Sequence, residues 1–224
     1  MDTTILRHSS LFQDIRQEEI LAMLACLGAR QVSYARGETI FREGDRISEI
    51  GLLLSGYALI HQVDFWGNRS IIAEVPPAGL FGEAYACLPK EPMGVGVTAA
   101  EASEVLFVNI GKALHLCSSA CAFHEKMVQN LIMTLARRNL ALTRKMTHTG
   151  KRSIREKLLS YLSEEARKKD SVYFTIPFSR QELADYLGVD RSALSKELSK
   201  LREEGVLDYN RSMFRLLRGN ENSV

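Results

Sequence analysis

The stretch from residue 179 to 205, SRQELADYLGVDRSALSKELSKLREEG, places two amphipathic helical periods on either side of one glycine. Ser179 and Glu182 have the spacing of a capping box, and Gly188 is the residue type that most readily ends a helix in a tight turn. Asp190 then supplies an N-cap for the second period. The pattern predicts two short helices joined by a tight turn, the arrangement of a helix-turn-helix.

The second predicted helix has one apolar face and one polar, basic face. Leu194, Leu198 and Leu201 recur at intervals of four and three residues and are predicted to face the core. The opposite face fits the major groove of DNA, where arginine and lysine donate to guanine and serine hydroxyls meet bases or phosphates. The alternative is an ordinary helical hairpin with a solvated face. The predicted DNA-contacting residues are Ser179, Arg180, Gln181, Arg191, Ser192, Ser195, Lys196, Ser199 and Arg211.

A strand hairpin is predicted directly after the second helix. Residues 206–209 and 213–217 alternate apolar and polar side chains around the turn 210–212. Such a hairpin behind a helix-turn-helix is typical of a wing. We expect Arg211 at its tip and Arg215 on its second strand to meet backbone phosphates, although exposed arginines on hairpins also serve solubility alone.

Composition indicates a folded chain outside the membrane. The 224 residues are 46% hydrophobic, enough for one large or two ordinary domains. No apolar run reaches the roughly 18 residues of a membrane span, and the opening MDTT resembles no signal peptide, so we expect a cytoplasmic protein with no membrane partner. Residues 150–224 hold 15 basic against 12 acidic side chains, so the positive excess lies with the predicted DNA-binding helices. No kinase loop, hydrolase elbow or Walker sequence is present, and no enzyme is predicted.

The first 110 residues have a different pattern, in which short apolar runs are separated by glycines. Residues 50–56 and 70–75 are such runs, and the spacing of strands and turns is that of a rolled antiparallel barrel. Residues 65–68 predict a hairpin turn, whose Trp66 we expect to cover the roll rather than stack on a ligand. A short helix is predicted ahead of the roll, over residues 11–27.

A long helix is predicted between these two regions, over residues 121–148. Five apolar positions and one asparagine step by 4, 3, 4, 3 and 4 residues, which is the seam of a parallel two-stranded coiled coil. Asn139 in that seam would fix register and pairing at some cost in stability. The alternative is a long helix packed on its own barrel. The predicted dimer-seam residues are Val128, Ile132, Leu135, Asn139, Leu142 and Met146.

Two glycine-rich segments carry a resemblance to a known family. Residues 37–45, GETIFREGD, and 79–83, GLFGE, followed by the long helix and the winged helix-turn-helix, resemble the CRP/FNR family of bacterial transcription regulators across nearly the whole chain. The resemblance implies an α+β fold with an N-terminal antiparallel β-roll (a double-stranded β-helix of the cyclic-nucleotide-binding type), a long dimerisation helix and a C-terminal winged helix-turn-helix. It also implies an allosteric homodimer on palindromic promoter DNA, with RNA polymerase as a further partner. The implied domains are 1–120, 121–148 and 149–224.

The sequence departs from the family pattern where cyclic-nucleotide-binding members hold the phosphate. Those members use a Gly-Glu pair and, further along, an arginine followed by serine or threonine; here Gly82 and Glu83 are kept, but Met93 and Gly94 stand at the later positions. A buried phosphodiester would lack its main counter-charge, so cyclic AMP is predicted not to be the effector. Another small molecule, a cyclic nucleotide bound in an unusual way, and a ligand-binding module without promoter activity all remain open. The effector-pocket candidates are Phe81, Gly82, Glu83, Met93, Gly94, Val95, Leu142 and Thr143.

Cysteine spacing leaves the cofactor open. The iron-sulfur branch of the family uses closely spaced cysteines near the N-terminus, where this chain has Cys26 alone. Cys117, Cys121 and His124 are spaced to share one face of a helix, and Cys87 completes the candidate set. Such a set fits zinc, iron, an iron-sulfur cluster or a redox disulfide. The alternative is that the cysteines only pack, as buried thiols often do.

The recognition helix also departs from that of related proteins. Family members related to the oxygen regulator and to the cyclic AMP receptor place a glutamate near the middle of this helix and a basic residue after it; the matching positions here are Ser192 and Lys196. Serine cannot accept from cytosine as glutamate does. The target half-site is therefore predicted to differ from theirs.

Overall fold

The chain forms two compact units, Met1–Arg137 and Arg138–Val224. The computed structural model describes residues 4–114 and 122–217. The first unit contains two β-sheets and the second contains a helix-turn-helix, so the fold is α+β, as predicted. No helix within the described ranges is both long and apolar enough to cross a bilayer.

The first unit is built on two four-stranded antiparallel sheets that share one hydrophobic core. Its strands are β1 (Arg30–Tyr34), β2 (Thr39–Phe41), β3 (Glu49–Ser55), β4 (Ala58–Val63), β5 (Arg69–Val75), β6 (Leu80–Phe81), β7 (Gly96–Ala99) and β8 (Ser103–Asn109). The strand orders are β1-β8-β3-β6 and β2-β7-β4-β5. The predicted antiparallel roll is confirmed.

Aromatic rings fill the centre of this core. Phe41 lies edge-on to Phe81 and to Phe107, with ring centroids 5.8 and 5.6 Å apart. Gly51 on β3 lies so close to the Phe81 ring that a Cβ atom would be 2.2 Å from its nearest carbon. Glycine at this position is therefore a packing requirement, because any side chain would displace the ring.

The β4–β5 hairpin carries its turn residues into solvent. The carboxylate of Asp64 accepts N–H bonds from Trp66 and Asn68, at 2.9 and 2.8 Å, which fixes the predicted turn. The exposed fractions of Phe65 and Trp66 are 95% and 81%. The prediction that Trp66 covers the roll is wrong, because the turn holds the indole away from the core, where it packs edge-on against Phe65.

The N-terminal segment is helical in short pieces. The single helix predicted over residues 11–27 is interrupted at Asp14, whose φ of 59° is left-handed and does not continue a right-handed helix. The pieces are 3-10 turns at Ile5–His8 and Ser10–Phe12 and the helix α1 (Gln17–Cys26), and the short helices α2 (Glu83–Ala86) and α3 (Ile110–Leu114) follow later in the unit.

The long helix α4 extends over Ala122–Thr149. Met127 and Leu131 on its N-terminal part are buried in the core of the first unit. The side-chain amide of Asn130 donates to the carbonyls of Leu11 and Gln13, at 3.0 and 2.8 Å. This part of α4 therefore packs on its own β-roll.

The second unit contains the end of α4 and a winged helix-turn-helix. Its further elements are α5 (Ile154–Lys169), β9 (Tyr173–Thr175), α6 (Arg180–Leu187), α7 (Arg191–Glu203), β10 (Leu207–Asn210) and β11 (Met213–Leu216). The three strands form an antiparallel sheet of order β10-β11-β9. Leu194, Leu198 and Leu201, which were predicted to face the core, are fully buried in one core together with Leu183, Ala184 and Leu187 of α6.

Candidate nucleic-acid interface and sensing region

The first helix of the motif begins with the predicted capping box. The Ser179 hydroxyl accepts the Glu182 N–H at 3.3 Å, and the Glu182 carboxylate accepts the Ser179 N–H at 2.7 Å. The bond from the Ser179 backbone N–H lowers the pKa of Glu182. At the other end, Gly188 adopts φ 61° and ends α6 with two N–H bonds to the last turn. These local bonds fix the turn that leads into α7.

The second helix begins at an aspartate cap. The Asp190 carboxylate accepts the Ala193 N–H at 2.9 Å and the Ser192 hydroxyl at 2.5 Å. The Ser192 hydroxyl is the main cause, and the Ala193 N–H a second one, of a lowered pKa at Asp190. Asp190 therefore holds both the start of α7 and one predicted DNA-contacting side chain.

The structure brings the predicted contacts of α7 together on one outer face. Arg191, Ser192, Lys196 and Ser199 are exposed, and Ser195 is partly buried. The Ser195 hydroxyl donates to the Arg191 carbonyl at 2.9 Å, and the Ser199 hydroxyl donates to the Ser195 carbonyl at 3.2 Å. Because both hydroxyls donate in these bonds, their oxygens keep lone pairs that can accept. This face offers donors from Arg191 and Lys196 and acceptors from the serines, which is the chemistry of base edges and phosphates.

The wing lies beside the start of α6. Arg180 is half-buried, with its guanidinium carbon 5.0 Å from the centroid of the Tyr209 ring on β10. Arg211 at the tip is exposed and has a φ of 55°. Gln181 is exposed and donates to the carboxylate of Asp185 at 2.9 Å. Of these predicted DNA contacts, Arg211 and Gln181 are open to solvent, whereas Arg180 is packed on the wing.

A buried polar cluster at the end of α4 was not predicted. His148 is 2% exposed, with Nε2 3.0 Å from Glu164 Oε2 and Nδ1 2.9 Å from the Ser160 hydroxyl on α5. Arg144 and Lys168 reach the other oxygen of Glu164, at 3.3 and 2.9 Å. Partial burial opposes ionisation of Glu164, but the Lys168 bond and the surrounding positive charge outweigh it and lower its pKa. No spacing rule identifies such a cluster, because its members lie on two different helices.

Met93 and Gly94 stand at the positions of the arginine-serine pair of cyclic-nucleotide-binding members, and both are bonded within the protein. Met93 is buried in the core, its N–H donates to the Asp45 carbonyl at 2.8 Å, and its carbonyl accepts the Gly44 N–H at 2.7 Å. The Gly94 N–H donates to the Tyr85 hydroxyl at 3.1 Å. This segment has no cation, and its Gly94 amide already has an acceptor. It therefore fits a phosphodiester poorly.

The Gly-Glu pair starts the short helix α2. Gly82 has a φ of 77°, which favours glycine, and Glu83 is buried as the first residue of the helix. Phe81 is fully buried, and Val95 packs on the same core. Phe81 and Val95 thus have a packing role.

The predicted seam residues of α4 have two different environments. Val128 and Leu135 are partly buried against the core of the first unit. In contrast, Ile132, Leu142 and Met146 are 58%, 63% and 72% exposed. Asn139 and Thr143 are also exposed, and the Thr143 hydroxyl donates to the Asn139 side-chain oxygen at 3.3 Å. The effector-pocket candidates Leu142 and Thr143 belong to the second unit.

The candidate cysteine site is described only in part. Cys117 and Cys121 lie outside the described residues. Cys87 is partly buried, and burial raises the pKa of its thiol. His124 is 8% exposed, and neither of its ring nitrogens has a hydrogen-bond partner among residues 4–114 and 122–217. Within the same ranges, no three His, Cys, Asp or Glu side chains are grouped so as to hold a metal ion.

Comparison with known proteins agrees with this architecture. Residues 31–120 match the sequence model of the cyclic nucleotide-binding domain, and residues 156–219 match that of the Crp-like helix-turn-helix domain. The nitrogen fixation regulation protein FixK of Bradyrhizobium diazoefficiens is 30% identical over 190 residues, covering 80% of this chain and 74% of that protein. The transcriptional activator protein FnrL of Cereibacter sphaeroides is 24% identical over 217 residues, covering 90% of this chain and 81% of that protein.

A solved structure shows the same fold. The catabolite activator protein of Thermus thermophilus aligns with a TM-score of 0.51 at 23% identity, covering 94% of this chain and 95% of that one. Its fold likeness extends over both units described above. From its two matched domains and its relatives, the chain belongs to the CRP/FNR family of DNA-binding transcription regulators.

Proposed function

We propose that this regulator is a homodimer that recognises palindromic promoter DNA through α7 and responds to a signal other than cyclic AMP in the β-roll. The observation that carries the proposal is the outer face of α7, where Arg191 and Lys196 flank hydroxyl groups above a fully buried leucine face. The proposed function is binding and conformational coupling, with no chemical step and with RNA polymerase as the partner on DNA.

Base recognition is assigned to the first turns of α7. Arg191 is the first residue of this helix, and Lys196 lies just over one turn further along. In the major groove both donate to guanine O6 and N7, while the Ser195 oxygen accepts from an exocyclic amine. Gln181 and Arg211, at the motif's start and at the wing tip, are assigned to backbone phosphates.

Dimerisation through α4 is the second part of the proposal. Ile132, Leu142 and Met146 leave an apolar row open to water in a single chain. A parallel coiled coil would bury this row and pair Asn139 with its copy, which fixes the register. Two recognition helices related by a twofold axis then meet half-sites about 34 Å apart.

We assign the sensing of this signal to the β-roll, and we exclude cyclic AMP because the segment that would hold its phosphate is altered. Met93 is a core residue, and the Gly94 amide is bonded to Tyr85, so the residues that would hold a cyclic phosphate are used for packing. FixK and FnrL are similar to this chain along most of its length, and their names record a nitrogen-fixation regulator and a transcriptional activator. These relatives support a transcription regulator, and the altered phosphate segment is what argues against cyclic AMP as its signal.

The DNA test uses the full chain and a pool of random duplexes. Repeated selection is expected to enrich a palindrome, and Lys196→Ala is expected to weaken binding to it by roughly ten-fold or more. Lys169→Ala, which removes an exposed lysine of α5 outside the predicted set, is the matched control and should bind like the parent. Failure of the selection to enrich a palindrome, or unchanged affinity of Lys196→Ala for the enriched one, would refute the assignment.

The effector test is a thermal unfolding series with cyclic AMP. A ligand at a hundred times its Kd stabilises a protein by about 2.7 kcal/mol, which shifts the unfolding temperature measurably. We expect no shift up to millimolar cyclic AMP. A saturable rise would establish a cyclic nucleotide bound in an unusual way and overturn this part of the proposal.

A metal or redox signal is the second candidate, favoured by His124. Neither ring nitrogen of the buried His124 has a hydrogen-bond partner within the described part of the chain, which is unfavourable, and a metal ion would satisfy one of them. Its sequence neighbours Cys117 and Cys121 are soft ligands. Anaerobic purification followed by iron, zinc and sulfide analysis tests this candidate. Near-stoichiometric metal that is lost in His124→Leu and in Cys121→Ser would support a metal signal. Metal-free protein would exclude it and leave the cysteines to thiol chemistry or packing.

A further inference from the structure

Arg180, at the start of α6, packs on the wing instead of extending into solvent. Its guanidinium carbon lies 5.0 Å from the ring centroid of Tyr209 and 5.9 Å from that of Phe214. These two rings stack on each other with centroids 6.0 Å apart, and Phe214 is fully buried. A planar guanidinium suits such a surface, because it combines cation–π attraction with stacking.

The same guanidinium also reaches the tip of the wing. Arg180 Nη2 donates to the carbonyl of Arg211 at 3.4 Å. Arg211 has a left-handed φ of 55°, a conformation that costs energy for a residue other than glycine. A bond to its carbonyl helps to hold that conformation. One side chain thus joins the start of α6 to the tight turn of the wing.

An open cleft lies between these two elements. It has a volume of about 390 Å³, and its lining includes Ser179, Arg180, Arg211 and Ser212. Arg211 is exposed on this cleft, whereas Arg180 is half-buried. The exposed charge that a phosphate would meet first is therefore that of Arg211.

We propose that Arg180 is a positioning residue, which fixes the wing turn so that Arg211 contacts a DNA phosphate. This inference rests on the proposed DNA-binding function and deepens it. Arg180 then contributes to affinity through Arg211 and forms no phosphate contact of its own. Its role depends on the shape of the guanidinium as well as on its charge.

The test measures the salt dependence of affinity for the selected palindrome. Each phosphate contact contributes about 0.9 to the slope of log K against log salt, so a dimer that loses the Arg211 contact twice should lose about 2. Arg211→Ala, Arg180→Ala and the double variant are expected to lose the same amount. Arg180→Lys keeps the charge but not the planar stacking, and is expected to resemble Arg180→Ala.

Arg202→Ala is the matched control. The Arg202 guanidinium also lies over the Tyr209 ring, at 5.4 Å, and pairs with Asp208 at 2.8 Å. Arg202 therefore stacks on the same ring as Arg180, but the bond to the Arg211 carbonyl comes from Arg180. This variant should keep the parental salt slope, and thermal unfolding should show that all variants are folded.

The outcomes separate the inference from the function on which it rests. A double variant that loses about twice as much slope as Arg211→Ala, a parental slope in Arg180→Lys, or a parental slope in Arg180→Ala would each overturn the positioning role. An unchanged slope in Arg211→Ala would instead refute the proposed wing contact and the positioning role with it. Absence of any sequence-selective binding by the parent would refute the proposed function itself.

Discussion

His148 on α4 and Glu164 on α5 form a buried pair, with Nε2 and Oε2 3.0 Å apart. The other ring nitrogen of His148 is bonded to Ser160, so both nitrogens are satisfied from α5. The last turn of the long helix is thereby fixed to the first helix of the DNA-binding unit. The proposed coupling between dimer and recognition helices depends on how firmly these two helices are joined.

Removing the imidazole should loosen this joint. His148→Ala leaves Glu164 paired with Arg144 and Lys168, so the loss is that of two buried hydrogen bonds, about 2–3 kcal/mol in the unfolding of the second unit. Urea unfolding followed by far-ultraviolet circular dichroism measures it. His8→Ala, an exposed histidine of the first unit, is the control and should change stability by less than about 0.5 kcal/mol. Equal effects of the two substitutions would contradict the structural role of the pair.

The capping box of α6 should contribute measurably to stability. Ser179→Ala removes the hydroxyl that accepts the Glu182 N–H and should destabilise the second unit by about 1 kcal/mol. Ser163→Ala, on the exposed face of α5, should be neutral or slightly stabilising because alanine is the better helix former. Hydrogen exchange of the α6 backbone amides distinguishes the two variants, with faster exchange expected only in Ser179→Ala. Unchanged protection in Ser179→Ala would show that the cap has no energetic role.

Stability should fall in acid partly because of the α7 cap. The pKa of Asp190 is lowered from 3.8 in the folded state, so its ionised form stabilises the fold above that value, and the stabilisation is lost as pH falls through the folded pKa. Asp190→Asn keeps an oxygen at the cap but cannot titrate. Urea midpoints between pH 6 and 3 should therefore drop less in the variant than in the parent. An equal fall of the urea midpoint with pH in parent and variant would contradict the lowered pKa of Asp190.

Charge on the exposed seam of α4 should dissociate the dimer. Ile132→Glu places a carboxylate at a predicted seam position, where its copy on the partner would repel it. Met133→Glu changes a neighbouring residue of similar exposure, 53% against 58%, that lies off the seam. Sedimentation velocity should give a monomer for the first variant and a dimer for the second. A dimer in both variants would place the interface elsewhere.

Restoring the family's arginine should not create a phosphate site. Met93→Arg puts a charge into a position that is 2% exposed in the core, which should cost several kcal/mol of first-unit stability. Hydrogen exchange in β3 and β8 reports that loss, with Met133→Arg, on the exposed surface of α4, as the control. Cyclic AMP should still produce no thermal shift. Binding of cyclic AMP by Met93→Arg would show that the segment rearranges easily, against the packing observed.

Features that depend on local sequence were predictable. The capping box at Ser179, the glycine turn at Gly188 and the aspartate cap at Asp190 each involve residues within one helical turn, and all three are observed. The leucine periods of α6 and α7 likewise fixed which faces are buried. The antiparallel roll was predicted from short apolar runs separated by glycine-containing turns. These signals are strong because each needs only the chain's own geometry.

Features that depend on distant contacts were not predictable. His148 meets Glu164, and Arg180 meets Tyr209, only after the helices and the wing have packed. Trp66 was misjudged because its burial depends on where a hairpin ends relative to the core. Asp14 interrupts an apolar helical pattern through a backbone angle that periodicity does not encode. Sequence periodicity identifies faces, whereas tertiary packing decides which polar side chains meet.

The hydroxyls on the outer face of α7 are held by its own cap and backbone, through Asp190 for Ser192 and carbonyls one turn back for Ser195 and Ser199. Ser192 and Ser199 are exposed, so exchanging either for a longer side chain removes no contact with the buried core. If α7 reads bases as proposed, single mutations at Ser192 or Ser199 therefore give access to new target sequences with little loss of fold stability. Promoter preference can diverge among descendants of this protein faster than the scaffold that presents it.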